Sequence, residues 1–175
     1  MAATFSLPSL PSGAVMPRDS KVKIGGILKN DHLARISVMG VPDRPGTAAA
    51  LLAVFGETGI NVQFIVQCID QHEQDHIVLC VDRSDLEVAL RLACEVQAEL
   101  CATTISFDPE VASLGIYGPD FRERPGIAGS MFSALAARSI NIQAISTSVS
   151  TVTVIISADR VNDGVAAIQD TFELP

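Results

Sequence analysis

A short loop carries the residue types that could bind a small zwitterion. In Asp43-Arg44-Pro45-Gly46 an acid stands three residues before a glycine, and apolar residues at helical spacing follow. The first N–H groups of a helix have no partner within it and lie at the positive end of its dipole, and glycine lets a ligand approach the backbone closely. We therefore predict that the N–H groups of residues 46–48 bind the carboxylate of a free amino acid, and that Asp43 binds its ammonium group. The candidate ligand-binding residues of this loop are Asp43, Arg44, Pro45, Gly46, Thr47 and Ala48.

The other reactive side chains do not form a catalytic or metal-binding pattern. Cys68, His72, His76 and Cys80 recur every four residues, but a predicted hairpin loop interrupts the series, which disfavours zinc. No nucleophile stands at a convincing spacing from a base, and no glycine-rich phosphate loop with its lysine is present. We predict no catalytic residue, no metal, no cofactor and no enzymatic activity.

The loop is part of an internal repeat. Sliding the sequence by 80 positions aligns residues 44–65 with residues 124–145, and eight of the 22 pairs are identical, which indicates a duplication. The second copy adds the candidate residues Gly126, Ile127 and Ala128. Its loop is two residues longer, so we expect the two sites to differ and the first to be the better one. The identical pairs are Arg44/Arg124, Pro45/Pro125, Gly46/Gly126, Ala48/Ala128, Ile60/Ile140, Asn61/Asn141, Gln63/Gln143 and Ile65/Ile145.

Strands and helices must position these loops in the same order in each copy. Apolar alternation toward Gly40 and Gly118 predicts a strand before each loop, and the spacing after each Pro-Gly pair predicts a helix of about 13 residues. The remaining predicted elements are strands over residues 60–69, 77–81, 140–147 and 152–156, and helices over residues 86–100 and 161–172.

The element order predicts a ferredoxin-like β-α-β-β-α-β fold, an antiparallel four-stranded sheet with both helices on one face. Residues 104–107 can close the first copy, whereas the spare strand Val22–Leu28 is needed to complete the second. The fold class is α+β, with the first domain inserted in the second. We place the first domain at residues 31–109 and the second at 110–175, completed by residues 21–30.

Several runs of sequence resemble a known family. They are Gly40-Val41-Pro42-Asp43-Arg44-Pro45-Gly46, Gly59-Ile60-Asn61-Val62-Gln63, Ile65-Val66-Gln67 and Ile140-Asn141-Ile142-Gln143-Ala144-Ile145-Ser146-Thr147-Ser148. In this order and spacing they resemble the tandem ACT domains in the regulatory region of aspartate kinases. The resemblance implies that the loop of one ACT domain faces the second strand of a partner ACT domain, with an amino acid bound at their interface. On that strand it adds the candidates Asn61, Val62, Gln63, Gln67, Asn141, Ile142 and Gln143.

Departures from the family pattern bear on the ligand. Threonine- and lysine-sensitive relatives usually carry Asp where this chain has Gln63, Asn where it has Cys68 and Glu where it has Val149. The neutral Gln63 removes an attractive charge for an ammonium group. The resemblance implies feedback regulation by a free amino acid, threonine first and lysine second, with an aspartate kinase catalytic subunit as a candidate partner. A ligand-free oligomerisation module is the alternative.

Composition narrows the partners and the compartment. A formal charge of -8 argues against nucleic acid, and the best candidate for a membrane span, residues 36–52, is interrupted by glycines and prolines. Residues 1–20 lack the pattern of a signal peptide, so we expect a disordered tail and a cytoplasmic protein. Because each ACT sheet has an exposed edge, we also predict a homodimer.

Overall fold

The structure is a computed structural model that describes residues 21–175, except for the side chain of Asp120. The predicted disordered tail, residues 1–20, lies outside the described residues. In chain order the elements are β1 (Val22–Lys23), β2 (Gly26–Pro42), α1 (Thr47–Glu57), β3 (Phe64–Ile69), β4 (Gln74–Asp82), α2 (Leu86–Leu100), β5 (Thr104–Tyr117), α3 (Ile127–Ala137), β6 (Ala144–Thr147), β7 (Thr151–Ser157), α4 (Val161–Thr171) and β8 (Phe172–Glu173).

Two long strands, β2 and β5, run through both halves of the molecule. They lie at the centre of a six-stranded sheet with the order β3-β4-β2-β5-β7-β6, in which all neighbours are antiparallel. Residues 26–30 of β2 pair with residues 113–117 of β5, and residues 35–39 pair with residues 104–108. Register shifts on both sides of Leu33 separate these two stretches, and such bulges let a strand bend without ending.

Each half of the sheet has the predicted ferredoxin-like order, and the first half is inserted in the second. Where the sequence predicted separate strands, the structure joins them, because the polar residues between them continue to pair across the bulges, as Asn30 does with Ser113. The boundaries predicted at residues 30/31 and 109/110 fall inside β2 and β5. The division into domains at those residues stays a prediction.

A small parallel pair of strands joins the beginning and the end of the described residues. Val22–Lys23 pairs with Phe172–Glu173, and the Ile24 N–H donates to the Glu173 carbonyl at 3.0 Å. Phe172 is buried against the core of the second half, so α4 ends at Thr171 rather than continuing to Phe172 as predicted.

Helices cover one face of each half. In the first half, Ile36 and Val38 of β2 and Ile77 of β4 pack with Leu51 and Phe55 of α1, as period-2 and period-3.6 patterns require. In the second half, residues of β5 and β7 pack in the same way against α3 and α4. None of the helices in residues 21–175 is long and apolar enough to cross a lipid bilayer.

The second strand of each half begins four residues later than predicted, at Phe64 and Ala144. The Ile60 N–H donates to the Phe55 carbonyl at 2.9 Å, and the Ile140 N–H donates to the Leu135 carbonyl at 3.0 Å. These residues therefore close the preceding helices instead of starting strands.

Candidate functional site

The first loop, residues 43–46, is exposed and ends in a left-handed glycine. Gly46 has φ of 99° and no side chain caps α1, and a Cβ built on Gly46 would have no atom within 4 Å. Backbone conformation, rather than crowding, therefore requires glycine here. The Asp43 N–H donates to the Glu73 carbonyl at 3.3 Å, which fixes the start of the loop on the β3–β4 hairpin and leaves the Asp43 side chain exposed.

One of the three N–H groups predicted to bind a carboxylate already has a partner. The Thr47 N–H donates to the Arg44 carbonyl at 3.3 Å, and the Thr47 hydroxyl donates to the same oxygen at 3.0 Å. Thr47 is buried, so its side chain holds the loop in shape. Ala48 is half-buried against the first core, and its N–H is one of the first-turn groups that α1 cannot satisfy internally.

A β-bulge at Gly40, three residues before Asp43, positions the first loop. Gly40 has φ of 66°, and a Cβ there would lie 2.5 Å from Thr103 Oγ1. The Thr103 hydroxyl donates to the Gly40 carbonyl at 3.1 Å, and the Gly40 N–H donates to His76 Nδ1 at 3.2 Å. Because Nδ1 accepts, the neutral ring carries its proton on Nε2, which lies 3.1 Å from Asp70 Oδ2. Sequence analysis missed Thr103, and only the register of β2 with β5 places it here.

Asp70 shapes the hairpin beside the loop. Its Oδ1 accepts the N–H groups of His72 at 2.7 Å and Gln74 at 3.1 Å. The bond from the Gln74 N–H, assisted by His72 and His76, holds the pKa of Asp70 below its usual range. The carboxylate thus remains ionised and keeps the turn closed.

The two Asn-x-Gln segments lie just before the strands on which we predicted them. The Gln63 N–H donates to the Cys80 carbonyl at 2.8 Å, and the Gln143 N–H donates to the Ile155 carbonyl at 2.8 Å. Asn61 and Asn141 are exposed. The half-buried Val62 and Ile142 pack against the two cores.

Both glutamine side chains form hydrogen bonds to the opposite half of the chain. Gln63 Oε1 accepts from Asn30 Nδ2 at 2.7 Å, and Gln143 Nε2 donates to Asp108 Oδ2 at 3.3 Å. Asn30 and Asp108 are equivalent under a shift of 78 residues, the same shift that aligns Gly40 with Gly118. Sequence analysis missed this pair, although a comparison at that second offset would have revealed it.

An open cleft of about 300 Å³ lies between the edge strands β3 and β6. Gln63 and Ile65 line one side, and Ser146 and Thr153 line the other. Ser146 and Thr153 were not predicted as site residues. Gln67, farther along β3, is exposed and does not line this cleft.

The structure separates the two parts of the predicted site within one chain. Gln63 lies level with Cys80 and Arg35, whereas the loop begins after Pro42, seven residues farther along β2. At about 3.3 Å per residue this is roughly 20 Å. The second loop lies beyond Tyr117, at the opposite end of the sheet. Along the direction of the long strands β2 and β5, the two loops therefore lie at the ends of the sheet. The Asn-x-Gln segments lie level with the middle of these strands.

The second loop differs from the first in its interior. Gly126 repeats the left-handed conformation with φ of 89°, Ile127 is buried, and Ala128 packs on the core. However, Phe121 packs against the same core, and a Cβ built on Gly118 would lie 2.8 Å from its ring. The longer loop thus places an aromatic ring beside Gly118, whereas a Cβ built on Gly126 would have no atom within 4 Å.

The cysteines and histidines are distributed as separate residues. Cys68 and His76 are paired across β3 and β4, Cys80 is fully buried on the opposite side of the strand from the helices, and His72 is exposed in the turn. Among residues 21–175, no three His, Cys, Asp or Glu side chains are placed to hold a metal ion. Burial raises the pKa of the Cys80 thiol to about 12.

Comparisons with known proteins agree with this architecture. The ACT domain family matches residues 34–96 and residues 114–172. Aspartate kinase from Pseudomonas fluorescens (strain SBW25) is 35% identical over 151 residues, which are 86% of this chain and 37% of that protein. The chain thus spans little more than a third of the kinase that it matches.

Two solved structures are similar over nearly their whole length. A chain of the aspartokinase alpha and beta subunits superimposes with a TM-score of 0.77 at 31% identity, covering 85% of this chain and 97% of its own. The ligand-free regulatory subunit of aspartate kinase from Thermus thermophilus has a TM-score of 0.78 at 29% identity, with coverages of 86% and 99%. The chain belongs to the ACT domain family. Its tandem ACT domains are of the type found in the regulatory region of aspartate kinases.

Proposed function

We propose that these tandem ACT domains bind a free amino acid, threonine first and lysine second, and thereby regulate an aspartate kinase. The observation that carries the proposal is the first loop, in which Asp43 and the left-handed Gly46 present a carboxylate and unsatisfied N–H groups at the start of α1. A free amino acid carries the complementary pair of charges. The first loop is the proposed site, since the second is two residues longer and holds the Phe121 ring beside Gly118.

The proposed ligand lies between two copies of the chain. The first loop is roughly 20 Å from Gln63 of its own chain, so in this proposal the loop of one copy faces the Asn-x-Gln segment of another. A ligand that binds only the assembled pair stabilises that pair by mass action. A change in amino-acid concentration then changes the association of the two copies, and a kinase catalytic subunit could respond to that change.

We propose that the chain itself catalyses nothing. The regulatory subunits that it resembles match it over nearly their whole length, whereas it matches only 37% of the kinase. The buried Cys80 has a raised pKa, which makes it a poor nucleophile. Catalysis would therefore belong to a separate kinase domain or subunit.

A ligand-free structural module is the second candidate. The observation in its favour is that Gln63 Oε1 already accepts from Asn30 and Gln143 Nε2 already donates to Asp108 within one chain, so these two atoms need no ligand. Among residues 21–175 the buried Oε1 of Gln143 has no partner. As a structural module, the tandem ACT domains would only hold an oligomer together.

A thermal-shift screen of the twenty amino acids, followed by calorimetry, separates these functions. Ligand at a hundred times its Kd stabilises the folded state by about 2.7 kcal/mol, which corresponds to a rise in Tm of several degrees. We expect L-threonine or L-lysine to raise the Tm and the D-enantiomer to have no effect. If none of the twenty L-amino acids raises the Tm or gives binding heat, the structural module replaces the sensor.

A further inference from the structure

Asp75 is a buried acid at the first loop. Only 1% of its surface is exposed, and within residues 21–175 its Oδ1 has no hydrogen-bond partner. It is in phase with Ile77 and Leu79 of β4, which face the helices. The carboxylate therefore lies in the layer between the sheet and the helices, where charge is costly unless it has a partner.

The register places this acid close to the proposed ligand site. Asp75 pairs with Val41, two residues before Asp43, and the neighbouring Glu73 carbonyl accepts the Asp43 N–H. Val41 belongs to the core that α1 covers, and four residues separate the end of β2 from the start of α1. Asp75 thus lies in the buried layer at the end of the sheet where α1 begins.

The second half of the molecule has no such acid. The alignment of Ile77 with Val152 and of Leu79 with Val154 places Ser150 at the position of Asp75. Ser150 is exposed and neutral, and its carbonyl accepts the Gly118 N–H at 3.1 Å. The buried charge is therefore a property of the first loop and not of the repeat.

The charge changes what the helix start can bind. Free N–H groups alone attract any carboxylate, but a negative charge behind them in a region of low dielectric repels a simple anion. A ligand that also carries an ammonium group supplies the missing positive partner. Asp43 contributes to this discrimination through its own contact with the ammonium, and Asp75 adds a second negative charge from a region where water screens it less.

We infer that Asp75 is a specificity-determining residue that makes the first-loop site select a zwitterionic amino acid over a simple carboxylate. This inference rests on the proposed function, because it needs the first loop to be a ligand site. Asp75 acts on the bound ligand through its charge, from the buried layer between the sheet and the helices. Asp43 remains the group expected to contact the ammonium directly.

Calorimetry with two matched probes tests the inference. The probes are L-threonine and 3-hydroxybutyrate, which is threonine without its amino group, or L-lysine and hexanoate, which is lysine without either amino group. The parent chain should bind the amino acid at least tenfold more tightly than the matched acid. D75N should bind the matched acid more tightly than the parent does, and the preference should fall about tenfold or more.

Variants and controls keep the outcomes distinct. Loss of structure would weaken both probes, whereas a gain of affinity for the acid requires removal of a charge. S150A, at the equivalent position of the second half, should change neither affinity. D75S, which introduces the residue of the second copy, replaces D75N if the latter does not fold.

Two results overturn the inference while leaving the proposed function in place. One is a parent chain that binds the amino acid and its matched acid equally well, which needs no variant. The other is a folded D75N or D75S protein that keeps the parent's preference. A parent chain that binds neither threonine nor lysine overturns the proposed function, and this inference with it.

Discussion

At the scale of single residues, Asp43 and Gly46 have different functions in the same loop. Gly46 supplies a backbone conformation that other residues adopt only with strain, whereas Asp43 supplies a charge. Thr47, which we grouped with them as a ligand-binding candidate, instead bonds to Arg44 and stabilises the loop. Residue type and spacing could predict the turn that requires Gly46, whereas a ligand contact of Asp43 stays a prediction. The direction of the Thr47 hydroxyl depends on loop geometry that a sequence does not state.

Replacement of Asp43 by alanine should weaken amino-acid binding by roughly ten- to a hundredfold. A charge-assisted hydrogen bond to a bound group typically contributes about 1.5–3 kcal/mol, and this range corresponds to that change in Kd. E57A is the matched control, because it removes an exposed acid from the far end of α1. Calorimetry should show parent-like affinity for E57A. A folded D43A protein with parent-like affinity would place the ammonium site elsewhere.

Cys80 should make the free energy of unfolding depend on pH in alkaline solution. Burial raises its pKa from the usual 9.0 to about 12 in the folded protein. Between these values the unfolded chain loses the thiol proton while the folded chain keeps it, so stability present below pH 9 is lost as pH rises, at up to about 1.4 kcal/mol per pH unit.

Urea unfolding of C80A and of C68A between pH 8 and 11 checks this dependence. C80A should lose this part of the slope, whereas C68A should keep it because Cys68 is exposed. Equal slopes in C80A and the parent chain would show that the thiolate is not excluded from the folded state.

At the scale of elements, the sequence predicted the types and the order of the helices and strands well. Periodicity placed α2 at residues 86–100, where the structure has it. The starts of β3 and β6 were wrong, because Ile60 and Ile140 close helices through backbone bonds that apolar pattern alone cannot distinguish from strand pairing. The joining of four predicted strands into β2 and β5 could not be predicted either, because the polar residues 29–32 have the pattern of a loop between two strands.

The glycine at the start of α1 should behave differently from the glycine inside it. G46A forces alanine into a left-handed conformation and should cost about 1–2 kcal/mol. G56A, where a Cβ meets no atom within 4 Å, should stabilise the protein by about 0.5–1 kcal/mol, because alanine favours the helix. Chemical denaturation of both variants tests this difference in sign. Equal effects would mean that the Gly46 conformation is not required.

The beginning of β2 should be essential for the second half of the sheet. Deletion of residues 1–18 should leave stability nearly unchanged. Deletion through Leu28 should destabilise the chain and cause aggregation, because it removes the pairing of residues 26–28 with residues 115–117 and the buried Ile24. Denaturation and light scattering of both proteins check this. A shorter protein that stays monodisperse and equally stable would contradict the role of this strand.

At the scale of the whole molecule, the pseudo-symmetry explains why two chains would be needed for a site. The resemblance implied a ligand between ACT domains. The structure places the two loops at opposite ends of β2 and β5, and the Asn-x-Gln segments lead into the edge strands β3 and β6. The topology of the fold could be predicted from the repeat. The contacts of Asn30 and Asp108, and the partner that faces each loop, could not, because they depend on side-chain placement and on a second chain.

The most direct test of the account is sedimentation equilibrium of the chain with and without its amino acid. If the ligand bridges two copies at two equivalent sites, then at about ten times its Kd it should tighten the dimer by roughly a hundredfold. D43A should lose this linkage, whereas E57A should keep it. A chain that binds threonine or lysine by calorimetry but remains monomeric at every concentration, or dimerises equally without ligand, would contradict an amino-acid site shared between two copies.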